Sequence, residues 1–219
     1  MTKVKVCGIT NLEDAQAAAD AGADAIGFVF AESPRSVTPE QARDVLRALG
    51  PTTCVPVGVF VDEPLPRVVR IARTVGLRVL QLHGAEPPET VTALRKLAFD
   101  VVKSFRVSTG DHLAPLGEYE PTAFLLDTFV PGTAGGTGRT FDWRTAVEAK
   151  RFGRIILAGG LGVDNVAEAV RVAQPYGVDA SSRLETRPGV KDHALVKKFI
   201  RLVKSSAGDA DSLVEPWPR

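Results

Sequence analysis

Along the chain, short unbroken apolar runs alternate with longer stretches whose apolar residues recur every three or four positions. The short runs begin near Lys3, Ala25, Val55, Arg78, Val101, Thr122, Arg154 and Gly177, and consist mostly of Val, Ile, Leu and Phe. Consecutive rather than alternating apolar positions suit strands covered on both faces, as in a parallel sheet. The intervening stretches predict helices. Thr38-Pro39-Glu40-Gln41 is a capping box with proline at the first helical position, opening a helix over Ala42 to Leu49. Asn11 to Asp14 begins a helix that carries Ala15 to Ala21 and stops at Gly22. Leu195, Val196, Phe199, Ile200 and Val203 fall on one face of a last helix between Asp192 and Lys204. Ser104 to Pro121 carries the weakest helical pattern, being interrupted by Gly110, Pro115 and Gly117.

Eight strands, each followed by a helix or helical turn, predict a single (β/α)8 TIM barrel with parallel strands. An open doubly wound sheet uses the same alternation. Eight strands within 219 residues favour the compact barrel. The barrel domain is expected over residues 1–204. Residues 205–219 lack periodicity and are expected to form a flexible tail, with Trp217 as a residue able to dock.

Composition narrows the class. With 44% hydrophobic and 24% charged residues, the chain is a globular protein and not a disordered one. A net charge of +1 predicts no nucleic-acid partner. No apolar stretch reaches the ~18 residues of a membrane span, and the first residues run into a strand with no signal-peptide core. Two cysteines, Cys7 and Cys54, cannot build a disulfide scaffold, and the expected location is cytoplasmic.

In such a barrel the active site lies just past the C-terminal ends of the strands. The polar residues there are Cys7, Arg35, Asp62, Gln81 with His83, Lys103, Asp127, Gly159 with Gly160, and Asp179 to Ser182. Cys7 is either a small buried hydrophobe or a reactive thiol at a strand end. Asp127 either caps the following loop or acts chemically, since burying an unpaired carboxylate is costly. Gly132 to Thr140 is glycine-rich but fails the P-loop pattern, and predicts a mobile lid. Leu157-Ala158-Gly159-Gly160-Leu161-Gly162 precedes a helix expected near Val163, and suits an anion at a helix N-terminus. It misses the dinucleotide fingerprint, because Asn165 stands at the third glycine position. Asp179-Ala180-Ser181-Ser182-Arg183, after the eighth strand, offers hydroxyls, amides and a cation to the same anion. His83, His112 and His193 are scattered, with no metal-ligand spacing, and no metal or other cofactor is expected. A thiol, a carboxylate, an arginine and a phosphate clamp suit proton transfer on a small phosphorylated substrate.

These residues carry a resemblance. Lys5-Val6-Cys7-Gly8-Ile9-Thr10, Gly22 to Phe30 with Ser33-Pro34-Arg35, and Val57-Gly58-Val59-Phe60 open an ordered series of motifs. Gln81-Leu82-His83-Gly84, Leu126-Asp127 with Gly135-Gly136-Thr137-Gly138, and Ala158-Gly159-Gly160-Leu161 continue it. Ser181-Ser182 and Pro188-Gly189-Val190-Lys191-Asp192 complete it. In this order the motifs closely resemble those of the phosphoribosylanthranilate isomerases of tryptophan biosynthesis, from about Val4 to Ile200.

The resemblance implies a cofactor-free Amadori rearrangement of N-(5-phosphoribosyl)anthranilate to 1-(2-carboxyphenylamino)-1-deoxyribulose 5-phosphate, by a monomer or homodimer. It implies Asp127 as general acid to the ring oxygen and Cys7 as general base at C2. Arg35 would meet the anthranilate carboxylate, and amides around Gly160 and Ser182 the phosphate. Gln81, His83, Gly159, Asp179, Ser181 and Arg183 complete the expected substrate contacts. Such a base needs a stabilised thiolate, with phosphate-binding dipoles or a cation such as Lys103 as candidates. Arg183 departs from the family's usual glycine after the paired serines, and its side chain is expected to point outward. The alternative is a direct phosphate contact. Two rivals stand beside the isomerase reading: a histidine-pathway sugar isomerase, which typically uses two carboxylates, and a non-catalytic anion-binding barrel.

Overall fold

The computed structural model describes residues 1–107, 113–128, 142–206 and 217. Eight parallel strands close into a barrel: β1 (Lys3–Cys7), β2 (Ala25–Val29), β3 (Val55–Phe60), β4 (Val79–Leu82), β5 (Asp100–Val107), β6 (Ala123–Thr128), β7 (Ile155–Leu157) and β8 (Gly177–Ala180). They pair in chain order, and β8 returns to β1 through Lys3↔Gly177 and Lys5↔Asp179. Helices α1 (Leu12–Asp20), α2 (Pro39–Leu49), α3 (Leu65–Val75), α4 (Pro88–Lys96), α5 (Arg144–Ala149), α6 (Val166–Ala173) and α7 (His193–Ser206) connect and surround the strands. A short hairpin, β9 (Glu185–Arg187) and β10 (Val190–Lys191), sits between β8 and α7.

Local chemistry sets the boundaries. Asn11 accepts a hydrogen bond from the Asp14 amide and starts α1. Thr38 and Gln41 form both halves of the capping box of α2. In α7, Val196, Phe199, Ile200 and Val203 are buried, the stripe expected of a helix lying on a sheet. Two expectations shift. Between β5 and β6 the described residues hold only a 3-10 turn, Ala114–Glu118, because Pro115 and Gly117 disfavour a longer helix. The helix after β7 starts at Val166 and not near Val163, since Asn165 turns back to accept the Gly162 amide at 2.8 Å.

A strand's alternation sends every second residue to the barrel axis. The axis is filled by Ala25, Val57, Val79, Val102, Ala123, Leu125, Ile156 and Ala158, mostly small or branched side chains suited to a narrow interior. Trp217 joins this cluster, 3% exposed, beside Tyr176. Its ring lies near Gly177, which begins β8 and pairs with Lys3 at the start of β1, so it covers the N-terminal mouth. The outer strand faces and inner helix faces form the second, larger core. With Trp217 over the N-terminal end, the cavity lies at the other end of the axis.

Candidate active site

At the C-terminal end of the strands lies a cavity of about 290 Å³. Its lining includes every site residue expected from the sequence: Cys7, Arg35, Gln81, His83, Asp127, Gly159, Gly160, Asp179, Ser181, Ser182 and Arg183. They come from β1, β4, β6 and β8 and from the turns after β2, β4, β7 and β8. Asp62 and Lys103, also strand-end residues, line a neighbouring recess instead. Gly132 to Thr140 and His112 lie outside the described residues. His193 is held on α7, its Nε2 2.8 Å from the Asp14 carboxylate.

Cys7 ends β1 and is buried, on the same strand face as Lys5. The pairing of Cys7 with Gly27 creates the room they share. A Cβ at Gly27 would stand 2.7 Å from Cys7 Sγ and 3.2 Å from Lys5 Nζ, so any larger residue would displace one of them. Lys5 Nζ donates to Asp179 Oδ2 at 2.8 Å, both groups being buried. Burial disfavours the Lys5 charge, but Asp179 and the Cys7 sulfur outweigh it and raise its pKa. Burial also pushes the Cys7 thiol up, against the pull of Lys5 and, more weakly, Lys191. For Asp179, burial raises the pKa and Lys5 offsets only part of the rise. The other Asp179 oxygen, Oδ1, is buried without a hydrogen-bond partner among the described residues.

Lys103 was a candidate cation for the thiolate, and the structure commits it elsewhere. Its ammonium binds Glu86 at 2.9 Å and the Gly84 carbonyl at 2.7 Å. The cations that act on Cys7 are Lys5 and Lys191, with Arg35 close enough to feel its charge. Lys191, fully buried in the hairpin, donates to the Cys7 carbonyl at 2.6 Å and to Glu185 at 2.7 Å. Glu185 also takes Arg35 in a two-pronged pair, Nε and Nη2 each at 2.8 Å. One edge of the Arg35 guanidinium is therefore fixed by the protein.

Across the axis, Asp127 Oδ2 lies 3.3 Å from His83 Nε2, and His83 Nδ1 lies 2.8 Å from the Gln81 amide nitrogen. With Nδ1 accepting from that amide, Nε2 carries the proton that faces Asp127. The turn after β7 comes very close to Asp127. Gly159 has φ +79°, and a Cβ there would collide with the Thr128 amide and the Asp127 carboxylate. The Gly160, Ser182 and Arg183 amides meet no acceptor among the described residues. Ser181 donates its hydroxyl to the Cys7 carbonyl at 3.0 Å. Arg183 does not point outward. It turns back across the β7 turn, donating to the Gly160 carbonyl at 3.0 Å and to Asp164 at 2.8 Å.

A thiol and a carboxylate face one cavity, with an arginine at its edge and backbone amides of the turns after β7 and β8 beside it. Residues 4–202 match the family model described as N-(5'-phosphoribosyl)anthranilate (PRA) isomerase. The chain belongs to the phosphoribosylanthranilate isomerase family. A family member from Pelobacter propionicus is 49% identical over 211 residues, covering 96% of this chain and 99% of its own length. One from Geobacter sp. strain M21 is 52% identical over 205 residues, covering 93% and 98%. The crystal structure of the Thermotoga maritima isomerase superposes with a TM-score of 0.85 at 40% identity, covering 94% of this chain and all of its own. A structure of such an isomerase in complex with reduced 1-(o-carboxyphenylamino)-1-deoxyribulose 5-phosphate superposes at 0.82, with 38% identity and coverage of 94% and 100%.

Four residues of this isomerase's site were not anticipated as parts of it: Lys5, Glu185, Lys191 and Asn165. The Lys-Val-Lys-Val-Cys alternation of β1 holds a signal for the first, because it places Lys5 on the Cys7 face of a strand buried on both sides. No spacing signals Glu185, which reaches Arg35 from 150 residues away.

Proposed function

We propose that the chain isomerises N-(5'-phosphoribosyl)anthranilate by an acid–base Amadori rearrangement, as a step of tryptophan biosynthesis. The observation that carries the reading is the shared cavity of Cys7 and Asp127, with Arg35 at its edge and the amide-lined turns of Gly160 and Ser182 completing it. Asp127 gives its proton to the ribose ring oxygen as the C1–O bond opens, and the anthranilate nitrogen supplies the electrons that form the Schiff base. Cys7 thiolate then takes the C2 proton, and those electrons move to the nitrogen. The resulting enol rearranges to the ketone, and solvent returns the Cys7 proton to Asp127. The protonated Asp127 donates to His83 Nε2 when the Gln81 amide turns its oxygen toward Nδ1, an oxygen otherwise buried without a partner. Asp179 Oδ1 is available to a sugar hydroxyl. The free edge of Arg35 suits the anthranilate carboxylate, and the Gly160, Ser182 and Arg183 amides suit the phosphate. Cysteine in place of a carboxylate at the end of β1 disfavours the histidine-pathway reading.

The test is growth rescue of a strain lacking this isomerase, joined to turnover of the purified protein. Wild type restores growth, while Cys7→Ala and Asp127→Asn each lower turnover by at least ~10²-fold. Near-normal turnover in either variant removes that residue from its role.

A further inference from the structure

The site holds a lysine with no place in the proton transfers just described. Lys5 is among the largest fully buried side chains in the molecule. A buried ammonium is costly unless its partners are well placed. One partner is Asp179 Oδ2 at 2.8 Å. The other is the Cys7 sulfur, which shares with Lys5 Nζ the space opened by Gly27. Asp179 uses one oxygen on Lys5 and leaves the other unpartnered, so the carboxylate is incompletely satisfied. One ammonium thus stands between two groups that compete for it as anions.

We propose that Lys5 is the positioning residue that sets the thiolate population of Cys7, and that Asp179 competes with the thiolate for this ammonium. The proposal rests on the reading of Cys7 as the base. The remaining charged groups about Cys7 are arranged differently. Lys191 is directed at the Cys7 carbonyl and at Glu185. Arg35 is held by Glu185. Asp127 and His83 act on the Asp179 side of the cavity. A proton leaving Sγ goes to solvent, and Lys5 stays charged throughout. A sugar hydroxyl donating to Asp179 Oδ1 would satisfy the competing carboxylate and release the ammonium toward sulfur, tying thiolate formation to an occupied site.

The experiment is the pH dependence of alkylation by iodoacetamide, which follows the thiolate without requiring turnover. It is run in a Cys54→Ser background; the Cys54 thiol, pushed by burial up to about 12, would otherwise react only at higher pH. Lys5→Met should raise the Cys7 midpoint by at least ~1 pH unit, about a tenfold loss of thiolate below it. Lys5→Arg should stay within about half a unit of wild type, because the charge is retained. Asp179→Asn should move the midpoint down. An unchanged midpoint in Lys5→Met, or an unchanged or raised one in Asp179→Asn, overturns the proposal. If Lys5→Met does not fold by circular dichroism, the direction in Asp179→Asn decides. Turnover of Cys7→Ala separates the two claims: near-normal turnover sinks the base assignment, while alkylation still reads the lysine.

Discussion

Two lysine–carboxylate pairs are buried in this barrel with nearly the same length and burial, and they are built to opposite ends. Lys103–Glu86 spans 2.9 Å and Lys5–Asp179 spans 2.8 Å. Around the first, the polar positions are filled. Lys103 also donates to the Gly84 and Ser104 carbonyls, and Glu86 accepts from the Asp62 and Gly84 amides. That network ties the turns after β3 and β4 to β5. Around the second, Asp179 Oδ1 is left unpaired at the cavity. A buried oxygen without a partner lowers stability by about 1–3 kcal/mol, and its location in the cavity lined by Cys7 and Arg35 is the basis for proposing a substrate hydroxyl there. Completeness of hydrogen bonding, more than burial or charge, separates a structural pair from a functional one.

The largest effect expected from this contrast is on stability. Glu86→Ala leaves Lys103 as an uncompensated buried charge and should cost about 3–5 kcal/mol, read by urea unfolding, with turnover of the folded enzyme within about twofold of wild type. Asp179→Asn keeps the shape and a hydrogen bond to Lys5 and removes a carboxylate whose second oxygen is buried unpaired, so it should cost clearly less than Glu86→Ala, while the kinetics change. A small stability loss in Glu86→Ala, or a large one in Asp179→Asn, breaks the comparison.

The fold was far more legible in the sequence than this contrast. Each expected strand start falls within a residue of the observed one, because a strand covered on both faces has to be apolar throughout its length. The capping box of α2 and the Asn11 cap of α1 were legible because they act over three or four residues. Strand-end position also exposed the cavity's residues, since the barrel closes all eight ends onto one axis. Partner choice was not legible. Lys103 and Lys5 both follow or precede apolar neighbours in a strand, yet their partners, Glu86 and Asp179, are 17 and 174 residues away. Only the strand alternation separates them, placing Lys5 with Cys7 on the axis, while Lys103 turns to the loop carrying Glu86.

Glu185 lies between the two kinds of pair, since it is saturated by Arg35 and Lys191 and yet holds Arg35, which lines the cavity. Burial alone would raise its pKa, but hydrogen bonds from Arg35 and Lys191 outweigh this and lower it from 4.5. Its stabilisation is therefore complete above the unfolded value and fades as pH falls through the lower folded one. The wild-type advantage in Tm over Glu185→Gln should be full at neutral pH and shrink below about pH 4.5. The same variant loosens Arg35 and should raise KM about tenfold with little change in kcat, the scale of one charged hydrogen bond. A fall in kcat with constant KM would place Glu185 with Cys7, through Lys191, and not with substrate binding.

The smallest effect concerns Arg183, a cation in the turn after β8 that is proposed to take the phosphate. Its guanidinium spans the β7 and β8 turns through the Gly160 carbonyl and Asp164, and Asp164 is more than half exposed. Pairs of this kind contribute about 0–1 kcal/mol, so Arg183→Ala should lower stability by no more than that. If the side chain braces the turn while amides carry the phosphate, KM should rise by less than about threefold and kcat should hold. A tenfold rise in KM alone would instead show the guanidinium in direct contact with the phosphate, and Asp164→Asn separates the cases. Releasing a brace weakens binding as Arg183→Ala does, whereas releasing a phosphate ligand from its competing carboxylate strengthens it.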